Sequence, residues 1–357
     1  MASPASTTDL LIELTQKLST RVSLEFDEAS KAAGALASSE PPVETKESFL
    51  RELARKGESP EEVFAFAQEF RKRAIDPKLE EISPRAIDIV GTGGDKSGTF
   101  NFSTATALLL AAMGVPVMKH GNRSITSKSG SADLIASLGV SMEGDHDYLR
   151  SSLEEFNFCF FFAPAFHPSF KEIMPVRKRL AETGTRTIFN LLGPLINPGK
   201  PANQLMGVFH ESWLPPIAGA LDSLGLESAL VVHCKISETQ GVDELTVSGA
   251  NFLEGAGRLK GQTFPSAPSE YGLTAAPLVD IQGGDAAQNS AILRKIADTT
   301  QTGPIVDTLL FNAGAALFTC GRAESIPHGI ETSRSALQSG ILTKWMDRFE
   351  DFNRKQS

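Results

Sequence analysis

The sequence has 357 residues, 41% of them hydrophobic and 22% charged, as in a globular protein large enough for two domains. Its formal net charge of −9 argues against general nucleic-acid binding, which needs a basic face. An anionic small ligand would need only a local positive site. No apolar run reaches the roughly 18 residues of a membrane helix, and the N-terminus does not resemble a secretory signal, so we expect a cytoplasmic protein.

The cysteine pattern agrees with that expectation. Cys159, Cys234 and Cys320 are odd in number, far apart and set in apolar stretches. These features predict buried free thiols in a reducing compartment.

Residues from about 8 to 80 show helical spacing and no strand-like alternation. The first helix, "DLLIELTQKL", has Thr8 and Asp9 as capping candidates. A later helix begins at Ser59, with Pro60 in its first turn and Glu62 completing a capping box. We expect a small helical region that serves packing or dimerisation.

From Ala86 onward the pattern changes to short apolar runs separated by segments of helical length. This order predicts a parallel α/β sheet, in which ligands bind at the carboxyl ends of the strands. The predicted strands are "AIDIV", "GVPVMKHG", "FNFCFFFAP" and "SALVVHC". The predicted helices are "STATALLLAAMG", "SADLIASLG" and "LPPIAGALDSLG".

The loop after the first strand is rich in glycine. It reads "GTGGDKSGTFNFST", and glycines let a backbone lie directly against a ligand. Asn101, Ser103 and Thr104 stand at the start of the next helix, where free N–H groups favour phosphate. The spacing matches neither the P-loop nor the dinucleotide fingerprint. A tight structural turn is the alternative, and Asp95 with the "NFST" cap favours a ligand site.

The second loop, from Lys119 to Ser131, supplies the local positive site. Lys119, Arg123 and Lys128 are interleaved with His120, glycines and small hydroxyls. Charge-assisted hydrogen bonds to phosphate contribute roughly 1.5–3 kcal/mol each. A solvated basic loop is the alternative, and the strand-end position favours phosphate binding.

At these two loops the chain resembles the anthranilate phosphoribosyltransferase family. The resemblance rests on "GTGGD…NFST" and "KHGNR…SKSGSAD". It continues through "HPSFKEIMPVRK", "RTIFNLLGPLINP", "QLMGV", "GVDE" and "LLFNAGAALF", and so covers essentially the whole chain. It implies an enzyme of tryptophan biosynthesis that transfers a phosphoribosyl group from phosphoribosyl pyrophosphate to anthranilate.

The resemblance implies a donor site built from both loops. Its residues are Gly91, Gly94, Asp95, Thr99, Asn101, Phe102, Ser103, Thr104, Lys119, His120, Gly121, Asn122, Arg123, Ser124, Ile125, Thr126, Ser127 and Ser131. It also implies two Mg²⁺ ions per site, with Ser103, Asp243 and Glu244 as ligands. An adjacent Asp–Glu pair is usually a solvated turn, and the residues alone would not single this one out.

The acceptor site is likewise implied by the resemblance. Arg177 would meet the carboxylate of anthranilate, with Gly91, Asn122, His120, His167 and Pro194 around the ring and amine. The implied reaction is displacement at the anomeric carbon with pyrophosphate leaving. The aryl amine is neutral at pH 7, so we assign no residue as acid or base and expect catalysis by positioning and leaving-group electrostatics.

The resemblance also implies a domain plan. We expect a helical domain at 1–85, joined by helices from about 168–200, and an α/β domain with a mostly parallel sheet at 86–357. A homodimer through the helical domain is the expected assembly, with no nucleic-acid or membrane partner.

Three departures from the family pattern affect these expectations. The segment Lys178–Thr185 is a few residues longer than usual, so either the helix of Arg177 is extended or "AETG" bulges beside the acceptor site. The stretch "HCKISETQGVDE" is also long, and we expect a surface loop there. Phe166 stands where the family often has tyrosine.

Two alternatives stay open on the sequence. A pyrimidine nucleoside phosphorylase would share the glycine-rich and lysine–serine loops, although "KHGNR" and "RTIFNLLGPL" favour the anthranilate enzyme. The second alternative is a non-catalytic relative that binds nucleic acid, and the net charge of −9 argues against it.

Overall fold

The N-terminal part of the protein is helical, as the sequence predicted. The computed structural model describes residues 6–123, 129–143 and 145–356. Four helices come first: α1 Thr7–Ser19, α2 Phe26–Leu36, α3 Val43–Lys56 and α4 Pro60–Lys72. The predicted cap of α1 at Thr8 or Asp9 is wrong by two to three residues, because the Ser6 hydroxyl accepts the Asp9 N–H at 3.1 Å and begins the helix earlier.

Helix α4 begins with the predicted capping box, and its Glu62 does more than cap. The Ser59 hydroxyl accepts the Glu62 N–H at 3.2 Å, and the Glu62 carboxylate accepts the Ser59 N–H at 2.7 Å. The same carboxylate accepts the Leu24 N–H and an ion pair from Lys56. Both side chains of this pair are buried, so Glu62 joins three segments of the helical region at one point.

The central sheet is mostly parallel, which confirms the predicted fold class. Its strands are β1 Ile87–Gly91, β2 Val117–Gly121, β3 Phe158–Phe162, β4 Asn203–Gly207, β5 Ser228–Lys235, β6 Gly241–Val242 and β7 Ala250–Gly257. Their order is β3-β2-β1-β4-β5-β6, and β7 also pairs with β5. Strands β1 to β5 run parallel, whereas β6 and β7 run antiparallel to β5. The four predicted strands are β1, β2, β3 and β5.

The remaining helices follow or connect these strands, and the three predicted ones are present as α5, α6 and α11. They are α5 Phe102–Ala112, α6 Ser131–Ala136, α7 His146–Phe156, α8 Ala163–Phe166, α9 Met174–Glu182, α10 Phe189–Leu195, α11 Leu214–Ser223, α12 Ala286–Ala297, α13 Pro304–Thr319, α14 Ile326–Gln338 and α15 Ile341–Gln356.

Each face of the sheet packs into its own hydrophobic core. Leu205 and Leu230 join one core with α5, α13 and the C-terminal helices. Their neighbours Met206 and Val231 point to the opposite face, where they pack with the N-terminal helices and α9 to α11. Helix α3 contacts α9, and α4 contacts α10 and α11. Because this second core spans both predicted domains, the boundary at residue 85 stays a prediction.

The cysteines are free, as predicted, but differ in exposure. Cys159 and Cys234 are buried, whereas Cys320 is only half-buried. Over the described residues, no helix combines the length and apolar character needed to span a lipid bilayer.

Removing the Glu62 carboxylate should destabilise the helical region. The substitution Glu62→Ala leaves the buried Lys56 ammonium and two N–H groups without their acceptor, which costs about 3 kcal/mol in the free energy of unfolding. The matched control is Glu61→Ala, which removes an exposed carboxylate from the same first turn and should change stability by less than about 0.5 kcal/mol. Urea unfolding measures both, and equal losses would contradict the role given to Glu62.

Candidate active site at the carboxyl edge of the sheet

Three loops meet where the parallel strands end. Gly91 at the end of β1 lies beside Gly207 at the end of β4, and Gly121 ends β2 on the other side of β1. The segment after the short strand β6 reaches the same edge, because the Gly93 N–H donates to the Asp243 carboxylate at 2.6 Å. The edge therefore gathers the glycine-rich loop, the second loop and the acidic pair.

The backbone at Asp243 comes unusually close to the sheet. A Cβ atom on Gly207 would overlap the Asp243 carbonyl oxygen, and a Cβ atom on Gly91 would overlap its carboxylate. Only glycine at both positions allows this approach. Asp243 and Glu244 lie in a bend rather than a strand, so their side chains are not forced to opposite faces as they would be in a strand.

The structure brings the three predicted metal ligands together. The Ser103 N–H, at the start of α5, donates to the Glu244 carboxylate at 2.9 Å. The Asp243 N–H donates to the Asp95 carboxylate at 3.4 Å. Asp95, Ser103, Asp243 and Glu244 therefore form one cluster, which we call the acidic cluster.

Burial and mutual repulsion make this cluster receptive to a cation. Burial raises the pKa of Asp243 well above its usual range, and the charges of Asp95 and Glu244 add to the shift. Burial also raises the pKa of Glu244 to about 7, although the Ser103 N–H and Lys119 oppose it. A divalent cation beside these groups would favour their ionised forms.

The donor set suits Mg²⁺ held jointly with a ligand. Among the residues that the structure describes, no three carboxylate, histidine or cysteine side chains converge as a closed metal cage. Mg²⁺ is usually bound by one or two carboxylates, with water and substrate phosphates completing its coordination. The acidic cluster, which holds two predicted carboxylate ligands and the Ser103 hydroxyl, fits that mode.

Hydrogen bonds within the protein hold the glycine-rich loop in place. Gly93 and Gly94 adopt φ values of 67° and 79°, which side-chain-bearing residues rarely reach. Asp95 accepts the Ser97 hydroxyl at 2.7 Å, and the Ser97 hydroxyl lies 3.0 Å from that of Thr99. Gln282 bonds to the Ser97 carbonyl at 2.8 Å. The loop is thus ordered by the protein itself.

Three predicted donor residues at the start of α5 differ in what they can offer a ligand. Asn101 donates to the Ser129 carbonyl and accepts from Asn289, so it links both loops. The Phe102 side chain is buried in the core, so only its backbone faces the loop. The Thr104 hydroxyl is buried and has no hydrogen-bond partner in the described part of the chain.

The prediction that the second loop begins at Lys119 is wrong. Lys119, His120 and Gly121 belong to β2, and Lys119 is 1% exposed with its ammonium donating to the Ile89 carbonyl at 2.5 Å. Burial lowers its pKa, and Asp88 and Glu244 oppose that shift. Lys119 therefore lies beneath the site with Asp88 as a counter-charge.

The loop proper starts at Asn122 and Arg123, which are exposed. The Ser131 hydroxyl donates to the Asn122 carbonyl at 3.3 Å and closes the base of the loop. The predicted donor residues Ser124, Ile125, Thr126 and Ser127, together with Lys128, lie outside the described residues.

Two histidines face each other in the predicted acceptor region. The rings of His120 and His167 are 5.0 Å apart, and His120 Nδ1 is 3.0 Å from the Gly193 carbonyl. The other three ring nitrogens are buried without a hydrogen-bond partner among the described residues. Burial lowers the pKa of His120 to about 3 and that of His167 to about 4, so both rings are neutral at pH 7.

Pro194 and Arg177, the other two residues predicted for the acceptor region, follow His167 in sequence. Pro194 lies inside α10 next to Gly193, and its carbonyl accepts a hydrogen bond from Gln204 at 2.7 Å. Arg177 is half-buried on α9, and no ion pair or side-chain hydrogen bond engages it within the ranges 6–123, 129–143 and 145–356. Its charge is therefore available to a ligand.

The departures from the family pattern take definite shapes. Helix α9 ends at Glu182, and the following turn is held by Arg51, which bonds to the hydroxyls of Thr183 and Thr185. The segment 236–240 forms the expected surface loop between β5 and β6. Phe166 is buried against the Phe161 ring at 5.1 Å.

The sequence did not predict a site role for Arg186, which is the first residue of the motif "RTIFN". Its guanidinium donates to the Gly94 carbonyl at 2.5 Å and stacks 3.9 Å from the Phe209 ring centroid. Arg186 thus ties the connection between α9 and α10 to the glycine-rich loop. A cationic residue three positions before a helix that begins with an aromatic residue does not by itself indicate such a contact.

Comparison with known proteins identifies the class first. Residues 83–342 match the glycosyl transferase family, a/b domain, which makes the chain a glycosyl-transferring α/β enzyme. An anthranilate phosphoribosyltransferase of Xanthobacter autotrophicus is 40% identical over 324 residues, 91% of each chain. The chain belongs to the anthranilate phosphoribosyltransferase family, as the sequence motifs indicated.

Solved structures agree with this assignment. The crystal structure of anthranilate phosphoribosyltransferase from Thermus thermophilus has a TM-score of 0.86 and 37% identity, covering 96% of this chain and 99% of that one. The Saccharomyces cerevisiae enzyme, solved in complex with PRPP and Mg, has a TM-score of 0.83 over 97% and 98% of the two chains. Its identity of 24% supports the shared fold alone.

A side chain at position 207 should displace the acidic pair. The substitution Gly207→Ala places a methyl group in the Asp243 carbonyl, so we expect a loss of about 1–3 kcal/mol in the free energy of unfolding. Gly219→Ala is the matched control, because its methyl group would make only an ordinary contact of 3.6 Å with Pro60. Chemical denaturation compares the two variants, and a neutral Gly207→Ala would contradict the close approach.

Proposed function

We propose that this protein transfers the phosphoribosyl group from phosphoribosyl pyrophosphate to the amine of anthranilate and releases pyrophosphate, a step of tryptophan biosynthesis. The observation that carries the proposal is the acidic cluster, held against Gly91 and Gly207, in a chain that belongs to this family. The family match favours this reaction over a pyrimidine nucleoside phosphorylase or a nucleic-acid-binding relative.

The donor would occupy the edge between the two loops. The partial positive charge at the start of α5 and the glycine-rich backbone suit its phosphates. Arg123 and the loop residues 124–127 would add contacts from the other side, and Ser131 supports that loop. Lys119 is better placed to balance charge beneath the site than to grip a phosphate, because it already donates to Ile89.

Magnesium would be held by Ser103, Asp243 and Glu244, and we propose two ions per site. When bound, the metal neutralises charge that develops on the departing pyrophosphate. The chain's own contribution is to hold the ligands still, since Gly93 and Ser103 each donate an N–H to one of the two carboxylates.

Anthranilate would lie between the histidine pair and Arg177, with Gly91, Asn122 and Pro194 completing the site. The neutral rings of His120 and His167 offer flat walls with unused nitrogen atoms for its amine or carboxylate. Arg177 carries a cation without a protein counter-charge, which suits the carboxylate.

Proton transfer does not require a strong base here. The amine of anthranilate is neutral at pH 7, and the low pKa of His167, about 4, makes it a weak acceptor. Catalysis therefore depends on orienting the amine towards the anomeric carbon and on stabilising the leaving group.

We also propose a cytoplasmic homodimer formed through the helical domain. Free cysteines fit a reducing compartment. Ile12 on α1 and Met174 on α9 are large apolar side chains that are 45% and 47% exposed, so they offer surface for a second copy. Sedimentation equilibrium tests the assembly, and a monomer at micromolar concentration would refute it.

The activity itself is tested by mixing the protein with anthranilate, phosphoribosyl pyrophosphate and magnesium chloride. Loss of anthranilate fluorescence is expected, dependent on all three additions. Replacing anthranilate by inorganic phosphate and a pyrimidine nucleoside provides the competing assay. Phosphorolysis without anthranilate consumption would select the nucleoside phosphorylase instead.

Neutralising the acidic pair should abolish most of the turnover. The variants Asp243→Asn and Glu244→Gln keep the shape and the accepting oxygen but remove the charge, so we expect kcat to fall by about 100-fold or more. Glu238→Gln removes an exposed carboxylate from the neighbouring surface loop and should leave kcat unchanged. Unaltered turnover in both site variants would remove the metal assignment.

Removing the free cation on α9 should weaken acceptor binding selectively. For Arg177→Gln we expect the KM for anthranilate to rise about 10- to 100-fold, the equivalent of one charge-assisted hydrogen bond. The KM for the donor should stay the same. Arg179→Gln, which removes an exposed arginine paired with Glu44 on the same helix, is the control. An equal rise in the KM for anthranilate in both variants would show that Arg177 acts only through the stability of helix α9.

A further inference from the structure

A second polar cavity opens at the opposite, amino edge of the sheet. Its volume is about 200 Å³, and it lies among Pro84, Arg85, Asn203, Glu227, Arg258, Cys320, Gly321 and Arg322. Arg85 precedes β1, Asn203 begins β4, and Cys320 to Arg322 follow α13. We call this the arginine cavity. It is separate from the acidic cluster, which lies at the carboxyl edge.

The charge balance of the arginine cavity is unusual for this chain. Three arginines face one glutamate in a protein whose net charge is −9. Elsewhere in the described chain several arginines are paired with carboxylates, such as Arg179 with Glu44 and Arg294 with Asp347. Within the described residues, neither Arg85, Arg258 nor Arg322 forms an ion pair, and Glu227 lies beyond ion-pair distance of all three.

One of the three guanidinium groups is already fixed in place. The Arg258 guanidinium donates to the Thr319 carbonyl at 2.9 Å and to the Phe318 carbonyl at 3.4 Å, both at the end of α13. These carbonyls orient the guanidinium without neutralising it. Arg85 and Arg322 are exposed, with no side-chain hydrogen bond in the part of the chain described, so they are free to turn towards a ligand.

We propose that the arginine cavity binds a small multiply charged oxyanion of the size of phosphate or pyrophosphate. Guanidinium groups bind such anions through paired N–H donors, and two positive charges remain unmatched here. The cavity exceeds the roughly 30 Å³ of one water molecule and is smaller than a typical drug-sized site of about 300 Å³ or more. A cavity of this volume has room for a compact anion.

Cys320 provides a probe at the cavity wall. It is half-buried, whereas Cys159 and Cys234 are buried, so a neutral maleimide should label it first. Burial raises the pKa of its thiol to about 11, and the charges of Arg322 and Arg258, which line the same cavity, oppose that shift. An anion in the arginine cavity should therefore slow the labelling.

The test follows maleimide labelling of Cys320 by peptide mass spectrometry while inorganic phosphate is titrated at constant ionic strength. Phosphate is expected to slow labelling of the wild-type protein. The double variant Arg85→Gln/Arg322→Gln should need at least ten times more phosphate for the same relative slowing. Because the readout is local to Cys320, phosphate bound at the donor site does not contribute to it.

Two controls complete the design. Arg354→Gln/Lys355→Gln removes two exposed cations from α15 and should respond to phosphate as the wild type does. Turnover of the Arg85→Gln/Arg322→Gln variant in phosphate-free buffer should be unchanged, and the single variant Arg322→Gln serves if the double variant unfolds. No slowing by phosphate in the wild type, or equal slowing in the arginine variants, would overturn the proposal.

Discussion

The close approach of the Asp243 backbone to the ends of β1 and β4 is the constraint on which the site depends. It requires glycine at positions 91 and 207, because any Cβ atom there would overlap Asp243. In return, the Gly93 N–H reaches the Asp243 carboxylate and the Ser103 N–H reaches Glu244. Two buried carboxylates are thereby fixed beside a helix start that favours phosphate. The sheet supplies the rigid frame, and the loops supply the chemistry.

The electrostatics of the site follow from that geometry. Burial raises the pKa values of Asp243 and Glu244, and the charges of neighbouring carboxylates add to both shifts. Lys119 and Asp88 lie beneath them as a second, internally balanced pair. A metal bound with a phosphate-bearing donor would complete the charge balance at the edge. The acceptor region is different in kind, with neutral histidines and one free arginine, which matches a flat aromatic acid.

The sequence predicted the N-terminal helical region, helices α5, α6 and α11, and four strands, because their periodicity and apolar runs are local signals. Strand β4 was missed as a strand, since "NQLMG" is short, follows Pro201 closely and has no β-branched residues. The prediction that Lys119 opens the second loop was wrong. The alternation of residues along a strand does not show that the Ile89 carbonyl and Asp88 lie next to the Lys119 side chain in the fold. The assembly of Asp243 with Gly91 and Gly207 joins residues more than 30 positions apart, so only the family resemblance could suggest it. The contact between Arg186 and Gly94 was not predicted for the same reason, because these residues are also far apart in sequence.

The most direct test of the central claim is a crystal structure with phosphoribosyl pyrophosphate and Mn²⁺ in place of Mg²⁺. The anomalous signal of manganese locates the metal without reference to any assumed ligand. Our account predicts a manganese ion within about 2.5 Å of a carboxylate oxygen of Asp243 or Glu244, shared with the pyrophosphate of the donor. Manganese and donor bound together elsewhere, with both carboxylates uncoordinated, would contradict it.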